Sequence, residues 1–358
     1  MKKANKEVII ETIYKRLAQF LDNLPGGYPA TESGVELRIL QRLFDQNEAE
    51  IVMALSPMPE SPSVIAERLH LDEATLADKL NEMSRKGLIN RYSKNDVNLY
   101  MAANFIVGIW EFQVNRLSKE LINDFDEYIP DLLKSMDNVK TKQMRVIPIS
   151  KSIPMELNVM PYDEAGKLIK SQAKIVVIPC ICRTERKMAG EGCSAPVESC
   201  LAFGISAYYY EGNGIGRTIT QEEALELLDK AIDAGLVLQP TNSQKALALC
   251  MCCSCCCGIL RNIKKYDSPA KFVTSNFYST TVKENCNGCG NCADICPMKA
   301  IAVDEVAQVN TERCIGCGLC VTRCDLAAVK LIKKSNETIP PATIFETFMK
   351  ISQERGLM

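Results

Sequence analysis

Histidine is almost missing from this 358-residue chain, with His70 the only one. That excludes His-rich metal sites and most catalysis by Ser/His or Cys/His pairs. Nor is there an excess of charge of one sign. Lys and Arg number 42 against 44 Asp and Glu, a net charge of −2, so nothing draws the whole chain to nucleic acid or acidic membranes. No stretch approaches the roughly 18 apolar residues of a membrane span. The start, MKKANKEVII, puts Glu7 and Glu11 where an export signal needs an apolar core. A cytoplasmic protein is expected, in which thiols stay reduced rather than forming disulfides. Nucleotide-binding glycine loops are also lacking: Gly212-Asn213-Gly214-Ile215-Gly216 has neither the preceding strand nor the register of a dinucleotide fingerprint. Residues 1–179 contain no cysteine, yet the chain has 18 of them. Ten lie between Cys180 and Cys257 and eight between Cys286 and Cys324, and the chemistry is expected there.

An α+β chain of several domains is predicted. Residues 1–102 form an amphipathic helix, stopped before Pro25-Gly26-Gly27, and then a three-helix and hairpin unit. In that unit Val35, Ile39, Leu40 and Leu43 mark one helix face. A second helix starts at Pro62 and ends near His70, expected as a surface cap residue. A third, capped by Asp72, runs to about Lys86 and stops at Gly87. Residues 88–100 alternate like a hairpin with a polar tip. This order resembles a winged helix. Residues 34–100 carry eight Lys or Arg and eleven Asp or Glu, a net of −3, which argues for a docking module over a DNA reader. Residues 103–143 are expected as a connecting helix with Trp110 and Phe112, bracing the two halves. Residues 144–265 form a Cys-rich α/β middle domain, with apolar runs at 145–149 and 174–179, a helix near 162–172 and a helix capped at Thr220-Gln221-Glu222-Glu223. Residues 266–335 follow as a dicluster domain, then 336–358 as a tail with a short helix.

The clearest motif is Cys286-x2-Cys289-x2-Cys292-x3-Cys296-Pro297, repeated as Cys314-x2-Cys317-x2-Cys320-x3-Cys324. This is the bacterial dicluster ferredoxin pattern, in which the fourth cysteine of each run ligates the other cluster. One 4Fe-4S cluster is therefore expected on Cys286, Cys289, Cys292 and Cys324, and a second on Cys314, Cys317, Cys320 and Cys296. Cys292 and Cys296 are about 6 Å apart along a helical turn, which brings the clusters close enough for electron hopping. Asp325 replaces the usual proline and is expected to lower the potential of the first cluster.

The middle ten are Cys180, Cys182, Cys193, Cys200, Cys250, Cys252, Cys253, Cys255, Cys256 and Cys257. Adjacent side chains diverge on a helix or strand, so the six in 250–257 cannot all face one cluster. They split between clusters, or some are spare thiols or ligands of an atypical cluster, with zinc or thiol redox chemistry the remaining alternative. The split expected is Cys182, Cys193 and Cys200 with one thiolate from 250–257, and a second cluster mainly on that run. Arg183, Arg186, Lys187, Arg261, Lys264 and Lys265 are expected to stabilise anionic clusters, or else to form a docking patch for an acidic partner or a pocket for an anionic substrate.

The segments PCICRTERKMAGEGCSAPVESCLAFG and CMCCSCCCGILR, followed by the tandem motifs, resemble 4Fe-4S dicluster ferredoxin-type proteins of anaerobes. The resemblance implies a cytoplasmic electron-transfer protein or subunit that links an anaerobic oxidoreductase to a low-potential carrier. It implies two C-terminal 4Fe-4S clusters and one or two more in the middle domain. The alternatives are a reductase with a catalytic middle cluster and a redox-sensing winged-helix regulator. Nucleic acid is not the expected partner.

Overall fold

A computed structural model describes residues 2–94, 97–153 and 159–358. The chain forms two compact units. The first takes Met1–Asn138, Tyr208–Ile215 and Ser352–Met358, and the second takes Val139–Ala207 and Gly216–Ile351.

Three helices of the first unit begin where a side chain satisfies free backbone N–H groups. Asp72 accepts from Thr75 N at 2.9 Å and starts Glu73–Arg85. A helix not read from the sequence, Gln46–Met53, opens on a reciprocal capping box between Asp45 and Glu48. His70 follows Pro62–Leu69 as a C-cap with φ 54°, in the left-handed region. Strands β1 (Asn90–Lys94) and β2 (Val97–Met101) pair antiparallel, and the polar tip at Asn95 and Asp96 lies outside the described residues.

The single connecting helix expected within 103–143 is interrupted. Val107, at φ 55°, turns the chain, Trp110–Phe112 makes one helical turn, and Ser118 caps a separate helix, Lys119–Ser135, by accepting Leu121 N–H at 3.1 Å. Trp110 stacks on Phe125 with centroids 3.7 Å apart, beside Tyr28, Phe105 and Tyr128. Its ring is therefore used within the core of the first unit, where such stacked aromatic pairs contribute roughly 1 kcal/mol beyond burial.

The second unit is built on an antiparallel five-stranded sheet. Its strands are β3 (Ile175–Pro179), β4 (Glu198–Phe203), β5 (Arg217–Ile219), β6 (Val237–Pro240) and β7 (Ala248–Cys252), in the order β5-β3-β4-β7-β6. The helix Gln221–Asp233, capped by Thr220, packs on β3 and β4 and stops at Gly235, φ +70°. It returns the chain so that β7 can pair with β4. The run 145–149 forms bridges rather than a strand, with Ile147 opposite Leu238 and Arg145 opposite Thr274. Arg145 is buried there, donating to Thr241 O at 2.6 Å and facing Asp163 at 3.4 Å; Asn276 donates to the other Asp163 oxygen at 3.2 Å.

The rest of this unit holds β8 (Phe277–Thr281), a hairpin of β9 (Ile301–Val303) and β10 (Ala307–Val309), and β11 (Val329–Lys333), which pairs with β8. The helix Ile344–Glu354 lies near the end of the chain. Arg313 ties this part to the middle region: its guanidinium donates to Lys264 O at 2.9 Å, Tyr266 O at 2.7 Å and Met298 O at 2.8 Å.

Candidate metal centres

The C-terminal cysteines sit in short turns around one apolar core containing Cys292, Ile301, Ala307, Cys320 and Val329. Cys296, Cys314, Cys317 and Cys320 line one cavity, closed by Pro297, Met298 and Ile315 among others. Cys292 faces Cys286 and Cys324, and the Cys320 thiol also feels Cys292, so the two sets are neighbours. Cys289 is exposed, and its N–H donates to Asn287 Oδ1 at 3.2 Å.

Backbone N–H groups point at these sulfurs. Ala307 donates to Cys286 at 3.3 Å, Ala300 to Cys296 at 3.2 Å, Ala328 to Cys324 at 3.2 Å and Ser279 to Cys314 at 3.4 Å. Such donors favour thiolate over thiol; those from Ala307 and Gly288 lower the Cys286 pKa. Burial works the other way at Cys317 and Cys320, pushing the Cys320 thiol up to about 12. A cavity walled by four sulfurs, with amides aimed at the ligands, fits an anionic all-cysteine iron–sulfur cluster. The backbone permits it because Gly316, at φ +70° between Cys314 and Cys317, passes so near Phe277 O that a Cβ would collide with it. Ser279 and Lys334, which lies near Cys314, were not legible as site residues, since β8 and β11 place them.

The middle ten divide six and four. Cys200 is the cross-strand partner of Cys250, and Cys252 lies two residues further along β7 on the same face. Cys180 and Cys182 lie at the start of the helix Ile181–Met188, and Cys257 precedes the helix Gly258–Ile263. Their thiols form a closed ring. Cys180 lies beside Cys182 and Cys200, Cys250 beside Cys200 and Cys252, and Cys257 beside Cys182 and Cys252. Interaction with both neighbours lowers the pKa values of these three, to about 5 for Cys250. Cys182, Cys200 and Cys252 are raised by those same neighbours and by burial.

Cys193, Cys253, Cys255 and Cys256 make the other group, with all four Sγ atoms within 4.8 Å of one another. The adjacent pairs Cys252-Cys253 and Cys256-Cys257 are each split between the two groups, whereas Cys255 and Cys256, in the turn after β7, both belong to the tetrad. This differs from the split expected from the sequence, which joined Cys193 to Cys182 and Cys200. Cys193 lies in the loop before β4, and that loop turns toward 253–256.

Between the groups lies Arg183, 3% exposed. Its guanidinium donates to Met251 O at 2.9 Å, Pro196 O at 3.0 Å and Ser199 Oγ. Among the described residues no carboxylate pairs with it. Burial opposes its charge, but Cys180, Cys253 and Cys252 more than offset this and raise its pKa. A buried cation without a carboxylate requires another counter-charge, and the thiolates supply it. Arg186 is equally buried and pairs with Glu185 and Glu191, so neither arginine belongs to a surface docking patch.

Among the described residues no helix is long and apolar enough to cross a membrane. No curated protein and no solved structure matches the chain. Residues 285–328, which contain all eight C-terminal cysteines, match the 4Fe-4S dicluster domain family, so this part of the chain is a 4Fe-4S dicluster domain attached to a Cys-rich region with a four-cysteine metal-binding group.

Proposed function

We propose that the protein carries electrons through iron–sulfur centres, serving as a component that links an oxidoreductase to a low-potential carrier. In this reading Cys286, Cys289, Cys292 and Cys324 hold one cluster, and Cys296, Cys314, Cys317 and Cys320 a second. A third iron–sulfur centre rests on the six-thiol ring, whose Sγ atoms do not all close to within 4.8 Å of one another as those of the other four do, and whose thiols exceed the four that one cubane takes.

The observation that carries the reading is the short link between ring and dicluster domain. Cys257 belongs to the ring and begins the helix Gly258–Ile263, whose six residues span about 9 Å. Lys264 follows directly and lies near Cys296, where burial raises the thiol pKa and the lysine charge partly opposes that. One short helix therefore separates a middle ligand from a C-terminal one, and Arg313 fixes that spacing through Lys264 O and Met298 O. Lys264 lies near Cys296 and Lys334 near Cys314; burial lowers the Lys334 pKa and the Cys314 sulfur opposes that, and a cation beside a cluster favours its reduced, more anionic state.

The three-helix and hairpin segment is assigned to protein docking. Lys79 and Lys86, on the helix that a DNA reader would use, are held by Glu48 at 3.0 and 2.6 Å, and Arg68 by Glu60 at 2.6 Å. Cations so paired give little phosphate neutralisation.

Anaerobic reductive titration of the full chain tests the reading. About three electrons per chain are expected, one for each 4Fe-4S centre, with magnetic coupling between neighbouring centres in the reduced protein. Uptake of about two electrons would remove the third centre.

A further inference from the structure

The spacing of sulfurs differs between the cysteine groups, and that spacing identifies what each can hold. In the tetrad, Cys193 Sγ lies 3.5 Å from Cys256 Sγ and 3.8 Å from Cys253 Sγ, and Cys255 Sγ lies 3.9 Å from Cys256 Sγ. These are too long for disulfides, whose S–S bond is about 2.05 Å. They match the edge of a tetrahedron around one ion: a metal–sulfur bond of about 2.3 Å gives sulfur–sulfur edges of about 3.8 Å. A cubane interposes several irons and sulfides between its cysteines and holds them farther apart. The same molecule contains that arrangement, because Cys296, Cys314, Cys317 and Cys320 surround a cavity instead of touching. Among the described residues, it is the tetrad whose ligand atoms all close to within 4.8 Å.

We propose that Cys193, Cys253, Cys255 and Cys256 hold a single thiophilic divalent ion, Zn²⁺ or Fe²⁺, in a tetrathiolate site without sulfide. Four soft sulfur ligands in tetrahedral array suit these two ions. Four thiolates around a divalent ion leave a net negative charge, and the buried Arg183 guanidinium lies against Cys253 to balance it. The ion joins the loop that carries Cys193, between the helix Ile181–Met188 and β4, to the turn that follows β7. It thus staples together two segments about 60 residues apart in sequence, as structural tetrathiolate sites do. The assignment stands independently of electron transfer: zinc there carries no electrons, whereas iron adds one more redox site.

The test compares anaerobically purified full-length protein with its Cys193→Ala/Cys255→Ala variant, measuring zinc, iron and acid-labile sulfide per chain. The variant is expected to lose about one metal ion while sulfide is unchanged, and the identity of the missing ion distinguishes zinc from iron. Loss of about four irons together with four sulfides, or no metal loss at all, would overturn the assignment. Should the variant fail to fold, the unmodified protein decides, since zinc plus iron must exceed sulfide by about one per chain and equality contradicts the site. Failure of the electron-transfer reading would show instead as missing iron and sulfide in both proteins.

Discussion

In the dicluster domain, three cysteines of each run are placed by turns of a few residues, and glycines let amide N–H groups reach the sulfurs. In the middle region Cys200 and Cys250 become neighbours only because β4 pairs with β7, and Cys180 joins them from the end of β3. The first arrangement is local and leaves a cavity among its sulfurs. The second is assembled over long sequence distances and gathers its sulfurs into a ring and a close-set tetrad with a buried guanidinium between them. Metal ligation by local turns survives changes elsewhere in the chain, whereas ligation across a sheet depends on strand register and on charge balance within the sheet's cover.

Arg183→Gln separates the two most sharply. It leaves the ring and tetrad without their buried cation, and removing one partner of a buried charge group costs about 3–5 kcal/mol. Iron content and visible absorption should fall by the middle-region share, while the C-terminal signal stays. Equal loss from both regions would break the comparison. Glu48→Gln, in the cysteine-free unit, should cost only about 1 kcal/mol in a urea melt at neutral pH. Burial acts to raise the Glu48 pKa, but hydrogen bonds from Lys86, the Asp45 backbone and Lys79 outweigh it and leave the pKa lowered. Its contribution is therefore full above the unfolded value of about 4.3 and disappears as pH falls through the lower folded value. The gap between variant and parent should close in acid, and at neutral pH the variant should keep the parent's metal content.

The same contrast explains what was legible. The tandem C-terminal runs were readable because spacing alone sets their turns. The Asp72 and Thr220 caps and the turn at His70 were readable because each is decided within four residues. Asp45-x-x-Glu48 had the same local signature and marks the helix over 46–53 that was passed over. The break at Ser118 was masked by apolar residues that continue helical spacing on both sides. The grouping of the middle cysteines was not legible, because it follows from the β4–β7 register and from a loop bringing Cys193 to residues 60 positions away. The burial of Arg183 belongs to the same class: its partners, Ser199 and the Met251 carbonyl, come from two different strands.

Iron and acid-labile sulfide in the anaerobically purified full chain test the central claim most directly. The account calls for about twelve irons with matching sulfide, from two C-terminal clusters and a third on the six-thiol ring, beside the single tetrad ion. About eight irons with eight sulfides would contradict it, leaving a dicluster domain joined to a middle region whose ring holds no iron–sulfur centre.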